Sequence, residues 1–161
     1  MKAAVNTSVL IAFGKLGHLG LLTRLFDGLF LAKSVLDEVR GSEVYAEVER
    51  LMDVGSASVA EASNRELLGM LSSGLGRGEA ETIVVASEGD ADLVLLDDLR
   101  ARRTARRLGL RVMGTLGVLK ALMNRGLIKA RPEDLCGTLI EQGFWIERDL
   151  CIKILSETIR T

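Results

Sequence analysis

The sequence is poor in the residues that build redox, zinc or triad chemistry. Its 161 residues include two cysteines and a single histidine. Two cysteines cannot form a disulfide framework, and with no histidine beside them they do not read as zinc ligands. Cys136 and Cys151 read instead as small buried hydrophobes. A Ser–His–Asp arrangement has only His18 to draw on, and that residue, framed by Gly17 and Gly20, reads as a turn or cap. Aromatic residues make up 4% of the chain, so a base-stacking platform is poorly supplied. No uncharged run reaches the length of a spanning helix, and the apolar start breaks at Asn6 with no cleavage pattern behind it. The expectation is a soluble cytoplasmic protein that does not enter the membrane.

What is present indicates a packed core. Hydrophobic residues are 48% and charged residues 27%, with one proline, which excludes disorder over most of the length. The length predicts one domain over residues 1–161, with 130–161 read as an added C-terminal helical element or a dimer surface. The net charge of −1 conceals an asymmetry. Residues 1–98 carry 8 Lys/Arg against 16 Asp/Glu, and residues 99–161 carry 13 against 6. An acidic segment folded on a basic one suits a site for cations and a polyanion together; solvated helix faces would give the same pattern.

Short apolar runs alternate with helical periods. Ala3-Ala4-Val5, Leu29-Phe30-Leu31, Ala57-Ser58-Val59, Asp92 to Leu96 and Arg111-Val112-Met113 read as strands, the third at an edge. Helices are expected after Ser8 and Ser34 as N-caps, over 43–52, from Asn64, over 79–87 and over 99–108. Leu19 to Phe26 also has helical spacing, and further helices are expected near 115–125, 133–142 and 147–159. Gly74-Leu75-Gly76-Arg77-Gly78 lacks the Gly-Lys-Ser/Thr ending of a phosphate loop and reads as a flexible turn. Strands separated by helices of this length indicate an α/β fold with a mostly parallel sheet.

In such a sheet, sites form beyond the carboxyl ends of the strands. Asn6 follows the first strand, and Asp97 and Asp98 follow the strand at 93–96. Asp37 and Glu38 lie on the helix after the second run, and Glu79 opens the helix after the glycine loop. Carboxylates meeting at one edge repel unless a cation holds them, and an all-oxygen set suits Mg²⁺ or Mn²⁺. Such an ion lowers the pKa of its water, so hydrolysis needs no histidine base. Glu38 and Glu79 are equally consistent with first-turn acids favoured by the helix dipole, and Asp98 with an N-cap. On the basic helix Arg100, Arg103 and Arg107 share a face fit for phosphate contact, or for solvent.

These segments resemble one family. Val5-Asn6-Thr7-Ser8-Val9-Leu10-Ile11 is similar to the opening of PIN-domain nucleases, which normally read Asp-Thr-Ser there. Ser34-Val35-Leu36-Asp37-Glu38-Val39, Gly76-Arg77-Gly78-Glu79-Ala80-Glu81 and Leu95-Leu96-Asp97-Asp98-Leu99-Arg100-Ala101-Arg102 resemble its next three motifs, in order. Gly114-Thr115-Leu116-Gly117 resembles the turn that follows in one prokaryotic branch. The resemblance covers residues 3–125 and implies a PIN-like three-layer fold, a mostly parallel sheet flanked by helices. It implies a metal-dependent endoribonuclease with Glu38, Glu79 and Asp97 as catalytic acids. Those three and Asn6 are the implied Mg²⁺ or Mn²⁺ ligands, with Ser8 and Asp98 supporting and Glu81 in reserve. It further implies RNA as substrate, a toxin of a toxin–antitoxin pair with an antitoxin partner, and a homodimer. Asn6 departs from the pattern: an amide oxygen brings no charge, so metal affinity falls. Two other readings remain open, a PIN-like module that binds RNA or a partner without cutting, and a phosphoacceptor domain.

Overall fold

The computed structural model describes residues 1–157. Its centre is a five-stranded sheet in which every pairing is parallel, in the order β3-β2-β1-β4-β5. The strands are β1 (Lys2–Val5), β2 (Gly28–Ala32), β3 (Ala57–Ala60), β4 (Leu93–Leu95) and β5 (Val112–Met113). Registers such as Ala3 opposite both Leu29 and Leu93 place β1 at the middle. Ala3, Ala4, Val5, Val94 and Leu95 have no exposed surface, as strands covered on both faces require. The run at 57–60 forms an edge, with Val59 39% exposed.

The helices are α1 (Thr7–Lys15), α2 (Lys33–Arg40), α3 (Tyr45–Asp53), α4 (Arg65–Ser72), α5 (Arg77–Glu88), α6 (Leu99–Arg107), α7 (Thr115–Asn124), α8 (Pro132–Glu141) and α9 (Arg148–Ser156). From β1 to β2 to β3 the chain steps in one direction across the sheet, and from β3 to β4 to β5 it steps in the other. Right-handed crossovers therefore put α1 and α3 on one face and α4, α5 and α6 on the opposite face. Helix α2 touches both α1 and α5, which brings the two layers together beside the strand ends. Each fully buried Leu or Val in these contacts contributes about 1.5–3 kcal/mol.

Several local expectations shift by a residue or two, with consequences for the site. Helix α1 starts before Ser8, because Asn6 takes the extended N-cap conformation (φ −84°, ψ 161°). Ser34 likewise lies inside the first turn of α2, whose N-cap is Ala32. The segment after His18 is a 3₁₀ helix (Leu19–Arg24) rather than an α-helix, and α5 begins at Arg77, before Glu79. Asn64 caps α4 by accepting from the Leu67 N–H, and Asp98 caps α6 by accepting from the Ala101 N–H. Gly109 ends the basic helix with φ +80°, a conformation that costs glycine little. Of the helix expected over 147–159, residues 158 and 159 lie outside the described residues.

The cysteines correct the sequence reading. Cys136 and Cys151 are fully buried, as small hydrophobes would be, but they are bonded to each other as a disulfide. Packing of α8 on α9 brings together two positions 15 residues apart, which spacing alone does not reveal.

Candidate active site

The two central strands set the location. The chain leaves β1 towards β2 and leaves the adjacent β4 towards β5, so a crevice opens between their carboxyl ends. The Asn6 N–H donates to the Leu95 carbonyl across this crevice at 3.1 Å. Asn6 is 6% exposed and stands at the N-cap of α1, yet its side chain makes no capping hydrogen bond. Its amide turns towards α2 and α5. A methyl group on the Gly78 Cα would stand 2.7 Å from Glu38 Oε1 and 3.4 Å from Asn6 Oδ1. Any side chain at position 78 would fill the space that these two oxygens border.

Asp97 is fixed by three donors. Its Oδ1 accepts from the Thr115 N–H at 2.7 Å, and its Oδ2 accepts from the Thr115 hydroxyl at 2.7 Å and the Ser8 hydroxyl at 3.0 Å. Thr115 opens α7 and is fully buried, so the carboxylate also sits where a helix N-terminus favours negative charge. Ser8 makes this contact because it is free of capping duty. A methyl group on Gly114 would stand 2.9 Å from Arg102 Nη1 and 3.1 Å from Asp97 Oδ1, so the guanidinium and the carboxylate share that glycine's open side.

Glu79 is differently engaged. Its Oε2 accepts from the Gly76 N–H at 3.1 Å and so caps its own helix. Burial raises its pKa above the ordinary value, the Gly76 N–H opposes the shift, and the charges of Asp98 and Glu38 add to it. Glu81, the reserve ligand, is committed elsewhere. It accepts from the Ser34 N–H at 2.9 Å and from the Ser34 hydroxyl, and pairs with Arg77 at 3.2 Å. In effect, a carboxylate from α5 satisfies a first-turn amide of α2.

The expected residues thus fall into two groups: Asn6 and Glu38 around Gly78, and Asp97 with Ser8 beside Gly114. Asp98 serves as the cap of α6. Among the described residues, no group of three or more His, Cys, Asp or Glu side chains is arranged to hold a metal ion. The physical reasons lie in the contacts above: Glu79 turns back to Gly76, Asp97 is drawn to Thr115, and position 6 supplies an amide. Donor chemistry nevertheless fits a hard divalent cation at one place, where the Asn6 amide oxygen and the Glu38 carboxylate border the Gly78 space.

Arg100, Arg103 and Arg107 are exposed, and Arg100 Nη2 lies 3.3 Å from where a Gly74 Cβ would be. The arginine that reaches the strand ends is Arg102, which the sequence reading had not chosen. Its signal was the buried stripe of α6: at 100° per residue, Arg102 lies nearer to Ala101 and Ala105 than the other four arginines do. Thr115 was also missed as a functional residue, although it stands within the Gly114-Thr115-Leu116-Gly117 turn.

An all-parallel sheet flanked by helices, with carboxylates and an amide beyond the strand ends, defines an α/β protein whose polar groups gather at the central crevice. A family model described as PIN domain matches residues 2–160, and the chain belongs to that family. A search of curated proteins finds no match. Membership suggests nucleic acid as the binding partner. No helix among the described residues is long and apolar enough to cross a membrane.

Proposed function

We propose that the protein is a divalent-cation-dependent endoribonuclease with weakened cation affinity. The observation that supports this most directly is the approach of Asn6 Oδ1 and Glu38 Oε1 to the bare Cα of Gly78, at the crevice between β1 and β4. Those two side chains would hold Mg²⁺ or Mn²⁺, with Glu79 and Asp97 as the flanking acids. When bound, a cation of this kind polarises a phosphoryl oxygen and makes water a better nucleophile. Asp97 keeps a fixed orientation because Thr115 and Ser8 occupy its oxygens. Arg102, beside it, offers a phosphate the paired donors of a guanidinium and offsets charge that develops there. Arg100, Arg103 and Arg107 extend the positive surface along the RNA backbone. The toxin role, the antitoxin partner and the homodimer belong to the same proposal and rest on the motif resemblance. The cytoplasmic location belongs to it as well and rests on the absence of an uncharged run long enough to span a membrane.

The test is cleavage of single-stranded RNA by purified protein with Mn²⁺. Cleavage that chelator abolishes, and that Asp97→Asn reduces at least ~100-fold, supports the reading. Cleavage that persists in chelator overturns it. Because a carboxylate at position 6 adds a charge to the site, Asn6→Asp should raise Mn²⁺ affinity by about tenfold or more in calorimetry. No change would remove Asn6 from the ligand set.

One observation favours a second reading, a PIN-like module that binds RNA or a protein without cutting. Asn6 carries no charge, and Glu79 and Asp97 are engaged by donors of the protein itself. RNA binding that needs no cation, with no heat of Mn²⁺ binding, would select this reading over the first.

A further inference from the structure

A groove of about 1010 Å³ begins at Ser8, Asp97 and Arg102 and runs to the segment joining α8 to α9. Its far end carries Phe144 and Trp145, two of the six aromatic residues in the chain. Leu16, Met113 and Leu116 are among the apolar side chains between the two ends. The polar end and the aromatic end differ in what they lack. Arg102 Nε is buried without a hydrogen-bond partner, while Nη1 of the same guanidinium lies on the open side of Gly114, where an acceptor can approach. Trp145 is 100% exposed, an indole held in water on the rim of an apolar groove.

We propose that this groove is a nucleotide subsite of the RNA-cutting centre, in which Arg102 meets a backbone phosphate and an unpaired base stacks on Trp145. The proposal rests on the RNA reading above and deepens it. A phosphate oxygen entering the groove would meet the Arg102 guanidinium at Nη1, on the open side of Gly114. An aromatic face offered to solvent suits a base, since every base has a stacking surface, and such stacking is worth roughly 1–3 kcal/mol. Only a single strand fits this division, because in a duplex the bases face each other and cannot leave the stack without loss of pairing. Ser8, Asp97, Arg102 and Trp145 line the same groove, so a strand seated along it runs from the stacking face to the acid. The rim is braced on both sides: Lys15 Nζ donates to the Gln142 carbonyl at 3.1 Å, and the Cys136–Cys151 disulfide ties α8 to α9.

Trp145 is the one tryptophan of the chain, so its fluorescence reports on the rim alone. Titration in chelator with a short single-stranded oligoribonucleotide should quench it saturably. An abasic oligomer of equal length should bind about tenfold more weakly, and so should the same RNA as a duplex. Trp145→Leu should weaken the single strand at least ~fivefold, measured by anisotropy of a labelled oligomer, and leave the abasic oligomer unmoved. Arg102→Ala should weaken both. Equal affinity for the abasic oligomer or for the duplex overturns the subsite. Quenching by an amphipathic helical peptide, with none by RNA, assigns the groove to a protein partner and also overturns it. RNA cleavage that persists alongside either result leaves the nuclease reading standing; absence of both RNA binding and cleavage removes the two together.

Discussion

Asp97 receives both the backbone N–H and the side-chain hydroxyl of Thr115, each at 2.7 Å, although 18 residues separate them. The first residue of one helix therefore clamps the acid that follows the central strand β4. Removing the hydroxyl leaves one carboxylate oxygen with only Ser8, and puts a methyl group in a fully buried position. Thr115→Val should cost about 1–2 kcal/mol, a fall in Tm of several degrees for a chain of this size. It should also slow RNA cleavage by about tenfold, because Asp97 loses its orientation. Thr115→Ser, which keeps the hydroxyl, should recover most of the rate; if it does not, the hydroxyl is not what positions Asp97.

Gly78→Ala separates site from fold. Position 78 lies in the first turn of α5 with ordinary helical backbone, where alanine is favoured over glycine by up to about 1 kcal/mol. The added methyl would meet Glu38 Oε1, the far end of a flexible and exposed side chain that can move aside. Thermal stability should therefore hold or rise slightly, while Mn²⁺ affinity in calorimetry should fall at least ~tenfold. Unchanged affinity would show that the Asn6–Glu38 space is not where a cation goes.

Glu81 makes the pH dependence of folding measurable. Burial pushes its carboxyl up, but the Ser34 hydroxyl and amide and the Arg77 guanidinium together hold it below its ordinary value. A group lowered in the folded state stabilises fully above its unfolded pKa of 4.5, and that contribution fades as pH falls below it. Glu81→Gln should cost about 1–3 kcal/mol at pH 7, since a nearly buried charge-assisted hydrogen bond is replaced. The variant's Tm should then fall less than the wild type's between pH 5 and pH 3. Parallel Tm curves would mean that Glu81 does not carry the linkage.

The disulfide closes a segment of 15 residues, for which chain entropy predicts a stabilisation of about 3 kcal/mol. Thiol titration of the unreduced protein in denaturant should find no free thiol, and dithiothreitol should lower Tm. Two free thiols in the unreduced protein would show that the cysteines are unpaired.

Local pattern was enough for much of the architecture. Ala3-Ala4-Val5 and the run ending at Leu96 read as buried strands, because short continuous apolar runs bounded by polar residues suit strands covered on both faces of a parallel sheet. Asp98 before a basic helix, and Gly109 after it, were recognisable as cap and stop because capping depends on neighbours within one turn. Four motifs in order pointed to the PIN family, to which the chain belongs. Side-chain commitments were not legible in the same way. Glu79 and Glu81 look alike in sequence, two residues apart; one caps its own helix and the other caps its neighbour, according to which face of α5 meets α2.

Arg102 illustrates the same limit. Five arginines on one helix are interchangeable in composition, and only the packing of Ala101 and Ala105 turns Arg102 towards Asp97. The disulfide and the groove beside Trp145 depend on how α8 and α9 dock, which no local rule contains. The sequence by itself determined the succession of strands and helices along the chain and the caps at Asn64 and Asp98, though not the caps of α1 and α2, since those features follow from periodicity and short-range hydrogen bonding. Tertiary structure alone decided which of the candidate acids are free and which are engaged, because a carboxylate takes the donors that distant segments bring within about 3 Å of it.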